Sequence, residues 1–262
     1  MYRAWDIVYP VGLYYVLTNV AVFVVTLVVP YTKESYGFIK VLATLITFPF
    51  IYQVYRNDRL RRGEGQDGWK KTFEDMKSEV LVLAGIVLMA VCAAIVLNNL
   101  IAWTPLMEHS SNYKEASEAF FGGSILFEIL GPCIFVPILE EYVFRGLVYQ
   151  RLREWLGIFW AVLISAVIFG MMHMNIVQFV YAGILGIFLA LCAERTKHLY
   201  GAVLAHMAAN TISVIRTETD WIAWMDASVS AQVCVTVALL MVFVGISIMV
   251  FGKMTHGKKE GI

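Results

Sequence analysis

The sequence predicts an all-α membrane protein, a polytopic transmembrane helical bundle of about eight helices. Three observations carry that fold class. The 262 residues are 60% hydrophobic and only 15% charged, whereas a soluble domain carries roughly 25% charged residues. The apolar residues gather into runs long enough to cross a hydrocarbon layer, which takes about 20 residues of helix. The lysines and arginines fall at alternate ends of those runs, as in a chain that weaves through a bilayer.

The runs lie at 7–30, 37–55, 79–103, 122–148, 157–174, 176–195, 199–216 and 228–252. The first is too long for the apolar stretch of a signal peptide and lacks a clear A-x-A site, so it reads as a retained helix. After the second comes the loop "RNDRLRRGEGQDGWKK", which holds Arg56, Arg59, Arg61, Arg62, Lys70 and Lys71. Arg151 and Arg153, then Arg195 and Lys197, then Lys253, Lys258 and Lys259 fall on the same side. The opposite side has little more than Lys33, Lys40, Lys114 and Arg216. The positive-inside rule then places the basic loops and both termini in the cytoplasm of a multi-pass cell-membrane protein. Residues 1–262 read as one integral membrane domain, with the polar motifs concentrated at about 122–216. Within 122–195 polar residues blur the boundaries. The path from His173 through 176–195 looks too short for two ideal crossings, so an irregular or tilted segment is expected around Asn175–Gly186.

Net charge is zero, so only the placement of charge is informative, and no nucleic-acid partner is expected. Cys92, Cys133, Cys192 and Cys234 lie in apolar runs without C-x-x-C spacing. They read as small buried hydrophobes, with neither a disulfide framework nor a thiolate metal site. Trp5, Trp103, Trp221 and Trp224 fall near the expected interfaces, as belt residues do.

Three polar clusters remain inside the spans: "EEYVFR" at 140–145, "FGMMH" at 169–173 and "HMAAN" at 206–210. An ionisable side chain at the bilayer centre costs roughly 2.5–3.5 kcal/mol on insertion scales, so each needs a partner or a purpose. Glu141 and Arg145 are four apart with the glutamate first, the favourable order for a helical ion pair. They read as a brace. Glu140, about 100° around the helix, is left without a local cation and is the candidate general base. Upstream, Pro132 and Pro137 each remove a helical N–H, which would open space beside Glu140 or simply bend the helix. His206 and Asn210 share one face of their helix. Alone, that pair would serve as an interhelical hydrogen-bond clamp, and so would His173. Together, a carboxylate, two histidines and an asparagine on successive spans supply what a hydrolase needs: a base for water, a group to orient it and donors for the oxyanion.

E-E-x-x-x-R, F-x-x-x-H and H-x-x-x-N, in this order and with Gly146 after the arginine, resemble the CPBP family. That family includes the Rce1-like type II CAAX prenyl endopeptidases and the bacterial Abi and bacteriocin self-immunity proteins. The resemblance covers about 130–215. It implies an intramembrane endopeptidase acting on membrane-associated or lipidated peptide substrates, glutamate-dependent or metal-dependent. It implies that Glu140 and His173 activate water, that His206 and Asn210 form the oxyanion hole, and that Glu141 and Arg145 support the site. Metal-free catalysis is the favoured reading. A zinc ion held by Glu140, His173 and His206 is the alternative, although the chain lacks H-E-x-x-H. Membrane lipid and a peptide or lipidated protein are the expected partners. The rival class is a non-enzymatic transporter or self-immunity protein in which the same groups relay protons. No internal symmetry of the kind many transporters show is visible.

Overall fold

The computed structural model describes residues 2–64, 69–114 and 123–256. It contains long helices and, among those residues, no strand. Helix α1 runs Tyr2–Thr26, α2 Lys33–Arg61, the short α3 Trp69–Ser78 and α4 Val80–Ala102. The helical run α5 spans Ile125–Met171, followed by α6 Ile176–Thr196, α7 Leu199–Glu218, a 3₁₀ turn at Asp220–Asp226, and α8 Val229–His256. Lys258, Lys259 and part of the 56–71 loop lie outside the described residues.

Among the described residues, six helices are long and apolar enough to span a membrane. One of them, α5, has 47 residues, and a straight helix of that length would be about 70 Å long, more than twice the hydrocarbon thickness. It breaks at Gly157, whose φ of 75° and ψ of 176° leave helical space, a conformation that glycine adopts without a Cβ penalty. Helix α7 falls short on apolarity because it carries His206, Asn210 and Arg216. With α5 as two arms and α7 included, the long helices match the sequence expectation.

The segment expected to be irregular or tilted is a regular helix from Ile176 onward. Helix α6 is continuous from Ile176, and Asn175 caps it by accepting from the Gln178 N–H at 2.8 Å. Irregularity is confined to the turn before it, where Met174 has a positive φ of 58°. One 21-residue helix then suffices, because at 1.5 Å per residue it covers about 30 Å.

The core lies where α4, α5, α6 and α7 meet, around Met89, Ala94, Leu139, Phe144, Phe169, Leu189 and Ala205. Helix α7 presents Ala202, Ala205 and Ala209 there, all fully buried, and such small residues let helix backbones approach closely. Helices α1 and α8 are peripheral. Val16, Phe23, Val244 and Ile248 are exposed, as suits faces turned to lipid. Cys92, Cys133 and Cys192 are buried as expected, but Cys234 is exposed on α8. On a helix that faces lipid, an apolar residue need not be covered by protein.

The basic residues meet at one end of the bundle. Buried Asp58 at the end of α2 accepts from Arg62 at 2.6 Å and from Arg151 at 3.0 Å, and Arg151 also donates to the backbone carbonyl of Asp6. Glu194 accepts from Arg153 and Tyr149, each at 2.9 Å, and from Lys197. Glu79 accepts from Arg195 and Tyr200, each at 3.1 Å. These contacts tie the start of α1, the end of α2, the start of α4 and the α6–α7 turn to the first arm of α5.

Candidate active site

The first arm of α5 is not a uniform α-helix. Ile129–Phe135 and Tyr142–Tyr149 are π-helical, and the α-helical stretch Val136–Glu141 between them carries both glutamates. Pro137 supplies part of the cause. The Val136 N–H bonds to the Gly131 carbonyl, five residues back, so it does not serve Pro132. The next candidate donor, Pro137, has no N–H. The Pro132 carbonyl is thereby orphaned, and Asn210 fills the gap, its Nδ2 donating to that oxygen at 2.8 Å. π-Helical stretches of this kind occur frequently at functional sites.

Glu141 and Arg145 form the pair the spacing suggests. Both side chains are fully buried, and Arg145 Nη1 donates to Glu141 Oε1 at 2.8 Å. Arg145 Nη2 donates to the Gly186 carbonyl at 3.2 Å, and the guanidinium lies 4.4 Å from the Phe169 ring centroid. Gly186 allows this approach, since a Cβ there would stand 3.2 Å from Arg145 Nη2 and from the Ala166 Cα. Glu141 does more than brace arginine. Its Oε1 also lies 2.8 Å from His206 Nδ1. A carboxylate paired with arginine only accepts, so Nδ1 carries the proton, and a neutral His206 exposes its lone pair at Nε2.

That Nε2 faces Glu140 Oε2 across 3.8 Å. Glu140 is not free of partners, as the local sequence suggested. The Tyr14 hydroxyl of α1 donates to Oε1 at 3.1 Å, and the Tyr14 ring packs edge-on against Phe144. Sequence reasoning missed Tyr14, which is one aromatic among several in an apolar helix. His173 sits in the turn after α5 rather than within a helix, with Nδ1 at 3.1 Å from the Phe169 carbonyl. A carbonyl also only accepts, so His173 likewise presents Nε2 as its free lone pair when neutral. The Phe169 ring touches both imidazoles edge-on, at 5.1 Å and 5.6 Å between centroids. F-x-x-x-H thus places a spacer as well as a histidine. The structure brings Glu141, Arg145 and His206 into one hydrogen-bonded group, sets Glu140 3.8 Å from its His206 end, joins His173 to it through Phe169, and holds Asn210 one helical turn from His206.

Residues 122–212 match the family described as type II CAAX prenyl endopeptidase, Rce1-like. That match covers about a third of the chain and falls on the segment whose motifs resemble the CPBP family. The chain is also similar to the Bacillus subtilis (strain 168) protein named "Putative membrane peptidase YdiL", with 38% identity over 79 residues. That match takes in 30% of this chain and 32% of the relative, so the chain matches about a third of the curated relative's length. No solved structure matches the chain. Tyr14 lies outside the matched residues 122–212, so the family pattern does not account for the group that holds Glu140 Oε1.

Proposed function

We propose that the protein is an intramembrane endopeptidase that hydrolyses peptide bonds of membrane-associated or lipidated peptides, using water activated by Glu140. The observation that carries this reading is Glu140 Oε2 turned towards His206 Nε2 across 3.8 Å. The separation is too long for a direct hydrogen bond and suits one bridging water. In the proposed reaction Glu140 takes a proton from that water as its oxygen bonds to the scissile carbonyl carbon. The resulting tetrahedral oxyanion collapses as the C–N bond breaks, and protonated Glu140 returns the proton to the leaving amine nitrogen. Neutral His206 orients the water by accepting its second O–H at Nε2. The second N–H of Asn210 is the donor to the oxyanion. His173 supports the attacking water from its turn beside Phe169.

The zinc alternative asks whether Glu140, His173 and His206 can enclose an ion. Histidines anchored at Nδ1 do suit metal ligation through Nε2. Yet among the described residues no three His, Cys, Asp or Glu side chains converge as ligands, and the Phe169 ring lies against both imidazoles. On that ground the reading proposed is the metal-free one, and it assigns no step to a metal. The basic end of the bundle is assigned to the cytoplasm, with both termini, on the charge asymmetry.

The test is proteolysis of a panel of quenched lipidated and unlipidated peptides by the purified protein, with metal analysis of the same sample. Glu140→Gln should fold and insert normally but lose roughly 10²–10⁴-fold in rate. Activity should survive chelation. Stoichiometric zinc that disappears in both His173→Ala and His206→Ala would replace this mechanism with a metal-dependent one at the same residues.

A further inference from the structure

A cavity of about 310 Å³ lies between α1 and α2, bounded by Tyr14, Thr18, Asn19, Tyr36, Lys40 and Met172 among others. Two of its walls belong to the site. The Tyr14 hydroxyl bonds Glu140, and Met172 directly precedes His173 in the turn. Its lining extends to Tyr31 in the α1–α2 connection, so it reaches the end of the bundle opposite the basic network. Its size is at the small end of ligand pockets, enough for a short stretch of peptide.

Two polar groups in this cavity lack the partners their positions call for. Thr18 Oγ1 is shielded from solvent and has no hydrogen-bond partner, a cost that native structures seldom carry without a reason. Lys40 lies inside a spanning helix, with its Cβ 3.6 Å from where a side chain at Gly131 would begin. Its ammonium rests 5.3 Å from the Tyr36 ring centroid. Among the described residues no carboxylate lines the cavity and Lys40 forms no ion pair. A half-buried cation in a cavity wall without a counter-charge marks a place where an anion is expected.

We infer that this cavity binds the substrate peptide beside its scissile bond, taking a substrate carboxylate on Lys40 and a peptide polar group on Thr18, with Tyr14 joining the pocket to Glu140. The inference rests on the peptidase reading for its place in the reaction, but its ligand chemistry can be measured without catalysis. The full-length protein in phosphatidylcholine nanodiscs is given peptides that are identical except for glutamate, glutamine or lysine, scanned across positions flanking a cut. Cleavage is followed in the wild type, and binding to Glu140→Gln is followed by fluorescence anisotropy. At one position the glutamate peptide should show KM and Kd roughly tenfold below its glutamine twin, as one charge-assisted hydrogen bond provides. Lys40→Gln should abolish that ordering, and Lys40→Glu should pass it to the lysine peptide. Equal KM and Kd for the twins at every position overturn the proposal, as does an ordering that survives Lys40→Gln. A dependence on Lys40 seen only when phosphatidylglycerol replaces phosphatidylcholine, with no discrimination among peptides, assigns the pocket to a lipid phosphate and also overturns it. Glutamate-selective binding through Lys40 without any cleavage supports the pocket and counts against the hydrolase reading alone.

Discussion

At the scale of single residues, the site divides into groups that touch the reacting atoms and groups that aim them. Tyr14 belongs to the second kind. Its hydroxyl fixes Glu140 Oε1 and so turns Oε2 towards His206. Tyr14→Phe keeps the ring against Phe144 and removes only that bond. The expected result is a fall in kcat of about tenfold with KM and thermal stability little changed, because one hydrogen bond to a charged group is lost. An unchanged kcat in this variant would show that Glu140 is held by something else. Glu141 is bound from two sides, by Arg145 and His206. The i,i+4 spacing makes the first contact legible in sequence. The second crosses 65 residues, and the bond from Tyr14 crosses 126. No periodicity within one helix encodes contacts at those separations.

At the scale of elements, α5 does the positioning. Its π-helical register orphans the Pro132 carbonyl, and Asn210 bonds it from α7. This couples Pro137 to Asn210 through the Pro132 carbonyl. Asn210→Ala should destabilise the protein by roughly 1–3 kcal/mol, the cost of leaving a buried polar group unpaired. Pro137→Ala returns a backbone donor that can serve Pro132, so the cost of Asn210→Ala should shrink in that background. A thermal-unfolding double-mutant cycle measures the coupling, and strict additivity would contradict this account. The same cycle run on kcat separates bracing from catalysis. If Asn210 is an oxyanion donor, its loss should lower kcat by roughly 10²–10³-fold in either background. The prolines were visible in the sequence, but the choice between a kink and a π-helical stretch depends on which donor reaches which carbonyl. The regular start of α6 was also hidden, because the turn at Met172–Asn175 absorbs the change of direction in four residues that the apolar pattern does not distinguish.

At the scale of the whole molecule, hydropathy and charge carried most of the architecture. The apolar runs correspond to the long helices, and the arginines that share one side in the sequence meet around Asp58, Glu79 and Glu194. What the pattern could not provide was the packing of α1 against the site, since a lipid-facing helix and a site-facing helix share the same composition. Orientation follows from the same charges. Tags in the 56–78 loop and at either terminus should report a cytoplasmic location, and a tag near 108–118 the opposite side. An exposed 56–78 loop on intact cells would reverse the orientation and the face to which the α1–α2 cavity opens. The central claim, that Glu140 activates water to cut a peptide bond, is tested most directly by digesting a cleavable peptide in ¹⁸O-labelled water and weighing the products. The wild type should place one ¹⁸O in the newly formed carboxylate, and Glu140→Gln, folded and at equal concentration, should yield almost no labelled product. Labelled product from Glu140→Gln at the wild-type rate would contradict the account.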